Sequence, residues 1–280
     1  MKGRSILITG GSMGIGAAVA RHLAERGARL LLVARGQAEL ERTVAELPGD
    51  GHQAHALDVA DEAAWERLAS GLAELHGLVC AAATLAPVGA LGSYQPSDFR
   101  RTLLVNVHGT LLAIHHCLPA LRAGRGSIVT FSGGGGTAPL PRFDAYAASK
   151  AATVRLTENL AAELADDGVR ANCVAPGFVA TGMHETTLAA GPAAAGSAYY
   201  ARTERELAAG GVPATEAAEL VTLLLGEPEL VPFSGKLISA QWDPWRDPDY
   251  RARLAASPDL ATLRRIDGVL FAPATEESRA

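Results

Sequence analysis

Cysteine is scarce in this chain: three in 280 residues, Cys80, Cys117 and Cys173, far apart, in apolar surroundings and without C-x-x-C spacing. That leaves no disulfide framework and no cysteine metal knuckle, and the expected state is three buried free thiols. Long apolar runs are missing too. The short stretch Ser5-Ile6-Leu7-Ile8 runs straight into a glycine turn, so neither a secretory signal nor a membrane span is read here. There is little excess of charge of either sign, 25 Lys and Arg against 30 Asp and Glu. A net charge of −5 gives no electrostatic footing for nucleic acid or an anionic membrane. Metal-ligand spacing is absent as well: His115 and His116 have no ligand-type residue three or four positions on, and no metal is expected. What remains is a cytoplasmic protein whose partner is a small molecule, with no nucleic acid and no membrane.

What the chain does have is enough apolar material, 48%, for one sizeable core. Short apolar runs at 5–9, 29–34, 52–57, 77–82, 126–132, 170–175 and 236–240 predict strands. Stretches of helical period at 14–26, 37–47, 61–74, 97–122, 145–167 and 215–225 alternate with them. Runs such as Leu30-Leu31-Leu32-Val33 lack polar alternation, as strands covered by helices on both faces do. The predicted fold is α/β, a doubly wound, seven-stranded parallel sheet in one domain, 1–240. The stretch from Pro176 to Val212 breaks the rhythm and is rich in Ala, Gly, Thr and Pro. It follows a strand's carboxyl end, where such sheets bind ligands, and a mobile substrate lid near 181–212 is expected. Residues 241–280 read as a tail packed on the domain or on a neighbouring subunit.

Between the first strand and the first helix lies Thr9-Gly10-Gly11-Ser12-Met13-Gly14-Ile15-Gly16. Gly10 lets the chain turn off the strand, Gly14 lets backbone approach a pyrophosphate, and Gly16 lets helix pack on strand. The helix N-terminus then offers free N–H groups and its positive dipole end to phosphate. This is a dinucleotide cradle of the Rossmann type, with Gly10, Ser12, Met13, Gly14, Ile15 and Gly16 facing the cofactor.

A second constellation is Tyr146-Ala147-Ala148-Ser149-Lys150. The spacing of four places phenol and ammonium on one helix face. Tyrosine ordinarily titrates near 10, and a fixed cation beside it favours phenolate, which makes it a usable acid or base. With Asn106 in Leu104-Val105-Asn106-Val107, these motifs resemble the short-chain dehydrogenase/reductase family over about residues 5–240. By that resemblance Tyr146 is the proton donor, Lys150 lowers its pKa and holds the nicotinamide ribose, and Asn106 anchors a water-linked proton relay. Asp58 and Val59 correspond to the adenine contact, Ala82 and Ala83 to backbone contacts after the fourth strand. Pro176, Gly177, Val179 and Thr181 correspond to the nicotinamide-side loop. The resemblance also implies a homo-oligomer, dimer or tetramer, built from the two long helices and the last strand.

Two departures bear on function. Cys80-Ala81-Ala82-Ala83 stands where the family carries Asn-Asn-Ala-Gly, so the side-chain bonds an asparagine would supply there are lost. Thirteen residues before Tyr146, the family's spacing to its catalytic serine, stands Gly133, with Ser132 one residue earlier in Phe131-Ser132-Gly133-Gly134-Gly135-Gly136. In a regular strand Ser132 points to the opposite face, unless the glycine run reshapes the strand end. Ser132 is therefore at most an auxiliary donor, and losing one such donor elsewhere costs on the order of a hundredfold in rate.

At the end of the second strand, Val33-Ala34-Arg35 has no acid for a ribose 2′-hydroxyl and offers a guanidinium to a 2′-phosphate. NADP(H) is the expected cofactor. The expected function is hydride transfer between nicotinamide and a carbonyl or alcohol of a small organic substrate. The Gly133 departure supports an alternative, a non-redox dehydratase, epimerase or cyclase. A non-catalytic NADP(H)-binding sensor is a further alternative, although a sensor has no chemical need for Tyr146, Lys150 and Asn106 together.

Overall fold

Successive residues of a strand point to opposite faces, and the first strand, β1 (Ser5–Thr9), divides its side chains accordingly. Ile6 and Ile8 enter one buried cluster, Leu7 another. The computed structural model, which describes residues 1–264, repeats this division across seven parallel strands. They are β1, β2 (Arg29–Ala34), β3 (Gln53–Ala56), β4 (Gly77–Cys80), β5 (Ser127–Phe131), β6 (Arg170–Ala175) and β7 (Leu237–Ser239). Their order is β3-β2-β1-β4-β5-β6-β7, so the winding reverses between β1 and β4. At such a switch point the loops leave the carboxyl ends in opposite directions and open a crevice.

Helices cover both faces, which is why the strands lack polar alternation. On one side α1 (Gly14–Ala24) and α9 (Ala214–Leu224) pack through Val19, Leu23, Leu220 and Leu224. With them lies α2 (Gln37–Ala45), through Leu40. On the other side lie α3 (Glu62–Ala69), α5 (Gly109–Ala123) and α6 (Asp144–Glu163). Trp65 of α3 is fully buried and donates its indole N–H to Val59 O at 2.9 Å. All three cysteines are buried free thiols. No group of three metal-type side chains exists among the described residues.

The predicted helix 97–122 exists with an interruption: α4 (Pro96–Leu103) runs through a π-turn, Leu104–His108, into α5. The 28-residue run has the length and mean hydropathy of a membrane span, contrary to the sequence reading, yet it is a layer of the α/β fold with Leu112, Ile114 and Leu121 buried. The helix expected over 61–74 stops at Ala69.

The stretch expected as a lid is two helices, α7 (Gly182–Ala195) and α8 (Ser197–Ala208). Gly191, at φ 76°, kinks α7 just before Pro192. The tail also holds a helix, α10 (Pro248–Ala256), with the Asp247 carboxylate accepting from the backbone N–H of Asp249 and Pro248 at its first turn. Trp245 is buried against the domain, its indole N–H on Ala240 O at 3.0 Å, while Trp242 is exposed. Beyond α10 the chain folds back over β7. The buried Lys236 ammonium donates to the carbonyls of Ser257, Pro258 and Leu260 at 2.6, 3.0 and 2.9 Å. Leu237 N–H donates to Ala261 O at 2.8 Å, and Ser239 N–H to the Asp243 carboxylate at 2.8 Å. Residues 265–280 of the tail lie outside the described residues.

Candidate active site

The crevice is built from loops that nearly touch. A Cβ added to Gly10, whose φ is +68°, would lie 2.9 Å from Ala82 N, and one on Gly16 would lie 2.2 Å from Gly10 O. Only glycine fits either place. Ala82 N–H donates to Thr9 Oγ1 at 3.2 Å, so β1 supplies a bond across the switch point where the chain lacks asparagine. Met13 precedes α1 without a side-chain cap, and no acid stands in the first turn, so the helix end keeps its donors and its positive field. Thr181 closes over this turn, its Cγ2 lying 3.3 Å from where a Gly14 Cβ would sit. Pro176 and Val179 are buried beneath it and Gly177, at φ +80°, is exposed.

These residues fit a dinucleotide: a glycine turn with no room for side chains, an uncapped helix N-terminus, and the β4 loop opposite. Arg35 is exposed at the end of β2. A cavity of about 440 Å³ between α1 and α2 is lined by Ser12, Met13, Arg21, Arg42 and Thr43. Asp58 is exposed, its carboxylate taken at 3.0 Å by Ala60 N–H, and Val59 is buried.

Tyr146, Ser149 and Lys150 lie on the buried face of α6. Lys150 donates to Phe131 O at 3.0 Å, and its nitrogen sits 5.5 Å above the centre of the Tyr146 ring. The resemblance has this lysine bring the phenol down in pKa, and in the chain by itself burial opposes that. Burial raises the Tyr146 pKa well above the ordinary value, with the Tyr199 phenol adding to it. Lys150, buried beside it, is itself pulled down to about 8 by loss of solvation. The ammonium is spent on a carbonyl and the ring face, away from the hydroxyl where a phenolate charge would gather. Tyr146 is therefore a protonated donor.

Asn106 sits in the π-turn, a distortion that often marks functional positions. Its amide oxygen accepts from Thr84 N–H at 2.8 Å, and its nitrogen donates to Thr84 O and Ser149 Oγ, both at 2.9 Å. Ser149 Oγ in turn donates to Tyr146 O at 2.7 Å. Both amide protons are committed, so this side chain pins the β4 loop, which carries Ala83, to the tyrosine's helix.

Gly133 faces the phenol: an added Cβ would lie 2.2 Å from Tyr146 Oη. Ser132 points elsewhere, its Oγ occupying the space a Gly136 Cβ would need, while its N–H continues the β5–β6 ladder to Val174 O at 2.9 Å. The glycine run forms a turn, Gly136 N–H to Gly133 O at 3.0 Å, without bringing the serine round.

Over the tyrosine lies a roof that sequence reasoning did not find residue by residue. Leu85, Phe143 and Ala195 are buried with Tyr146, and Val88, Leu140, Met183, Tyr199 and Tyr200 pack against them. Arg142, in the left-handed conformation at φ 73°, donates to Ala193 O at 2.7 Å and Ala194 O at 3.2 Å, at the end of α7. A cation suits that negative helix end. No local pattern signals these residues, because α7, α8 and the loop before α6 meet only in three dimensions.

Comparison with known proteins agrees with this geometry. The family model for short chain dehydrogenases matches residues 4–190. "Dehydrogenase/reductase SDR family member 4" of Bos taurus is 37% identical over 185 residues, covering 62% of this chain and 65% of that relative's length. The NAD+-bound xylitol dehydrogenase structure superposes with TM-score 0.75 at 25% identity, covering 85% of this chain and 97% of that one. Actinorhodin polyketide ketoreductase with NADPH gives 0.73 at 26% identity, covering 84% and 95%. With the family model matching well over half of the chain and the same parallel sheet in the superposed structures, the chain belongs to the short-chain dehydrogenase/reductase family.

Proposed function

We propose that this chain is an NADP(H)-dependent oxidoreductase acting on a carbonyl or alcohol of a small organic substrate. The observation that carries the reading is the buried Tyr146 hydroxyl, facing Gly133 beneath an apolar roof, with Lys150 over its ring. When bound, the nicotinamide supplies or accepts the hydride. Tyr146 gives its hydroxyl proton to a substrate oxygen as that oxygen gains charge. Lys150 fixes the ring from its face and Asn106 holds the loop opposite. With Gly133 in place of a hydroxyl, polarisation of the substrate oxygen falls to Tyr146 alone, so proton donation carries more of the barrier than it would with two donors.

The structural relatives include an NAD+ and an NADPH complex, so cofactor choice rests on this chain's own residues. Arg35 and the absence of an acid at Ala34 support NADP(H). The missing hydroxyl also favours a second reading, a dehydratase, epimerase or cyclase that uses Tyr146 for proton transfer without redox turnover. Incubation with NADPH and a panel of ketones, followed by nicotinamide absorbance, separates the two. Oxidation of NADPH that disappears in Tyr146→Phe while cofactor binding persists is expected. Turnover unaffected by that substitution would sink the assignment.

A further inference from the structure

A threonine inside a helix has a partner at hand, the carbonyl four residues back. Thr43, Thr110, Thr153, Thr157, Thr203 and Thr222 all donate to it, at 2.8–3.0 Å. Thr187 of α7 does not. It is fully buried, and its Oγ1 has no partner among the described residues. One turn earlier, Nδ1 of His184 is buried and unpartnered too, with the ring stacked on Phe178 at 3.8 Å between centroids. Leaving a buried hydroxyl unpaired is costly, and two such atoms on adjacent turns of α7 point to a guest that pairs them once the helix shifts to admit it, since neither atom has accessible surface in this arrangement.

The helix geometry says where that guest lies. Met183 stands four residues before Thr187, hence on the same face, and Met183 packs on the cluster holding Tyr146 and Phe143. The face carrying Thr187 is therefore the one the lid turns toward the phenol. We propose that Thr187 and His184 form a neutral hydrogen-bonding subsite for a second oxygen of the substrate, so that the preferred substrate is a hydroxy- or oxo-substituted ketone, or the matching diol, on an apolar body. This rests on the reading of Tyr146 as the group facing the reacting carbonyl or alcohol. The apolar body suits Leu85, Phe143 and Met183, none of which tolerates a charge. Burial lowers the His184 pKa, so at neutral pH the ring offers a donor or acceptor and no cation for a carboxylate or phosphate.

Binding, measured by calorimetry on protein loaded with NADP+, in which a ketone cannot be reduced and with nicotinamide absorbance followed to show that the hydroxyl is not oxidised, tests this directly. The probes are matched pairs: cyclohexanone with 2-hydroxycyclohexanone, and acetophenone with 2-hydroxyacetophenone. The oxygen-bearing member is expected to bind at least about tenfold tighter. Thr187→Val, which keeps the shape, erases the preference; Thr187→Ser retains it; and His184→Phe, which keeps the stack, weakens it. Thr187→Val melts no lower than wild type, since it removes an unpaired hydroxyl. A preference unchanged in Thr187→Val, a lower melting temperature in that variant, or no binding of any pair overturns the proposal. Preferential binding without nicotinamide turnover in the reducing assay instead sinks the redox reading and leaves the subsite standing, whereas equal turnover of both pair members does the reverse.

Discussion

The Tyr146 hydroxyl occupies the volume that a side chain at residue 133 needs, 2.2 Å from the place a Cβ on Gly133 would take. Substitution there displaces the phenol, because a contact under 3 Å forces one of the two to move. Gly133→Ala and Gly133→Ser are both expected to lower kcat by about 10- to 100-fold, since a misplacement near 1 Å costs that much, with NADPH affinity unchanged. Steady-state kinetics beside calorimetry gives the check. A faster Gly133→Ser enzyme would mean that the added hydroxyl outweighs the displacement.

Lys150 makes folding stability depend on pH in a stated direction. Its pKa falls from the ordinary 10.5 to about 8 in the folded chain. Between those values the unfolded chain holds more protons, so stability rises with pH, by up to about 1.4 kcal/mol per pH unit. Below that window both states are protonated and the contribution is flat. Denaturant midpoints from pH 7 to 9.5 should climb in wild type relative to Lys150→Met. Parallel curves would show that the amine is not held in an apolar site.

Arg35 has no ion-pair partner among the described residues and stands free for a 2′-phosphate. NADPH is expected to bind more tightly than NADH, and Arg35→Ala should reduce the gap about tenfold or more, the worth of one charge-assisted contact. Calorimetry with both cofactors decides it. Equal affinity in wild type would defeat the NADP(H) assignment.

Asn106→Leu strands the Thr84 N–H and carbonyl together with Ser149 Oγ. Each unpaired buried group costs about 1–3 kcal/mol, so a loss of at least that size is expected in urea unfolding. Asn106→Asp keeps the acceptor for Thr84 N–H and should recover part of it. Wild-type stability in Asn106→Leu would mean that water replaces the amide.

We also propose a homo-oligomer, joined through the exposed helix face bearing Leu104 and Leu111. Leu104 opens the π-turn and Leu111 lies in α5, and both are exposed. Light scattering at micromolar concentration should give a mass above 28.9 kDa, and Leu111→Glu should lower it. A persistent monomer in wild type would rule this out.

The sheet was legible because it rests on two local signals, apolar runs and helical period, and β1, β2 and β6 have the bounds those signals predict. The lid helices were not, since Gly191 and Pro192 interrupt α7 and its apolar residues give it little amphipathic contrast. The α10 start was readable in Asp247-Pro248 and was absorbed into a tail. Of the site, the spacing of Tyr146 and Lys150 was visible but their burial was not. Burial raises the phenol's pKa, a contribution that spacing does not show. Asn106 could be placed in a helix, yet its partner Thr84 is distant in sequence and joins it only when the loop after β4 meets the π-turn, as Ser149 joins it only when α6 does.

The fold-back of residues 257–261 bears on how this protein stays soluble while it folds. An outermost strand with unpaired N–H groups is a template on which another chain's strand can grow. Here both outward N–H groups of β7 are taken within the chain, Leu237 by Ala261 and Ser239 by Asp243. A protein shortened before Ser257 would regain a free donor at Leu237, and a different strand added there head-to-tail would continue the sheet without closing it, which is the geometry of fibres rather than of counted assemblies.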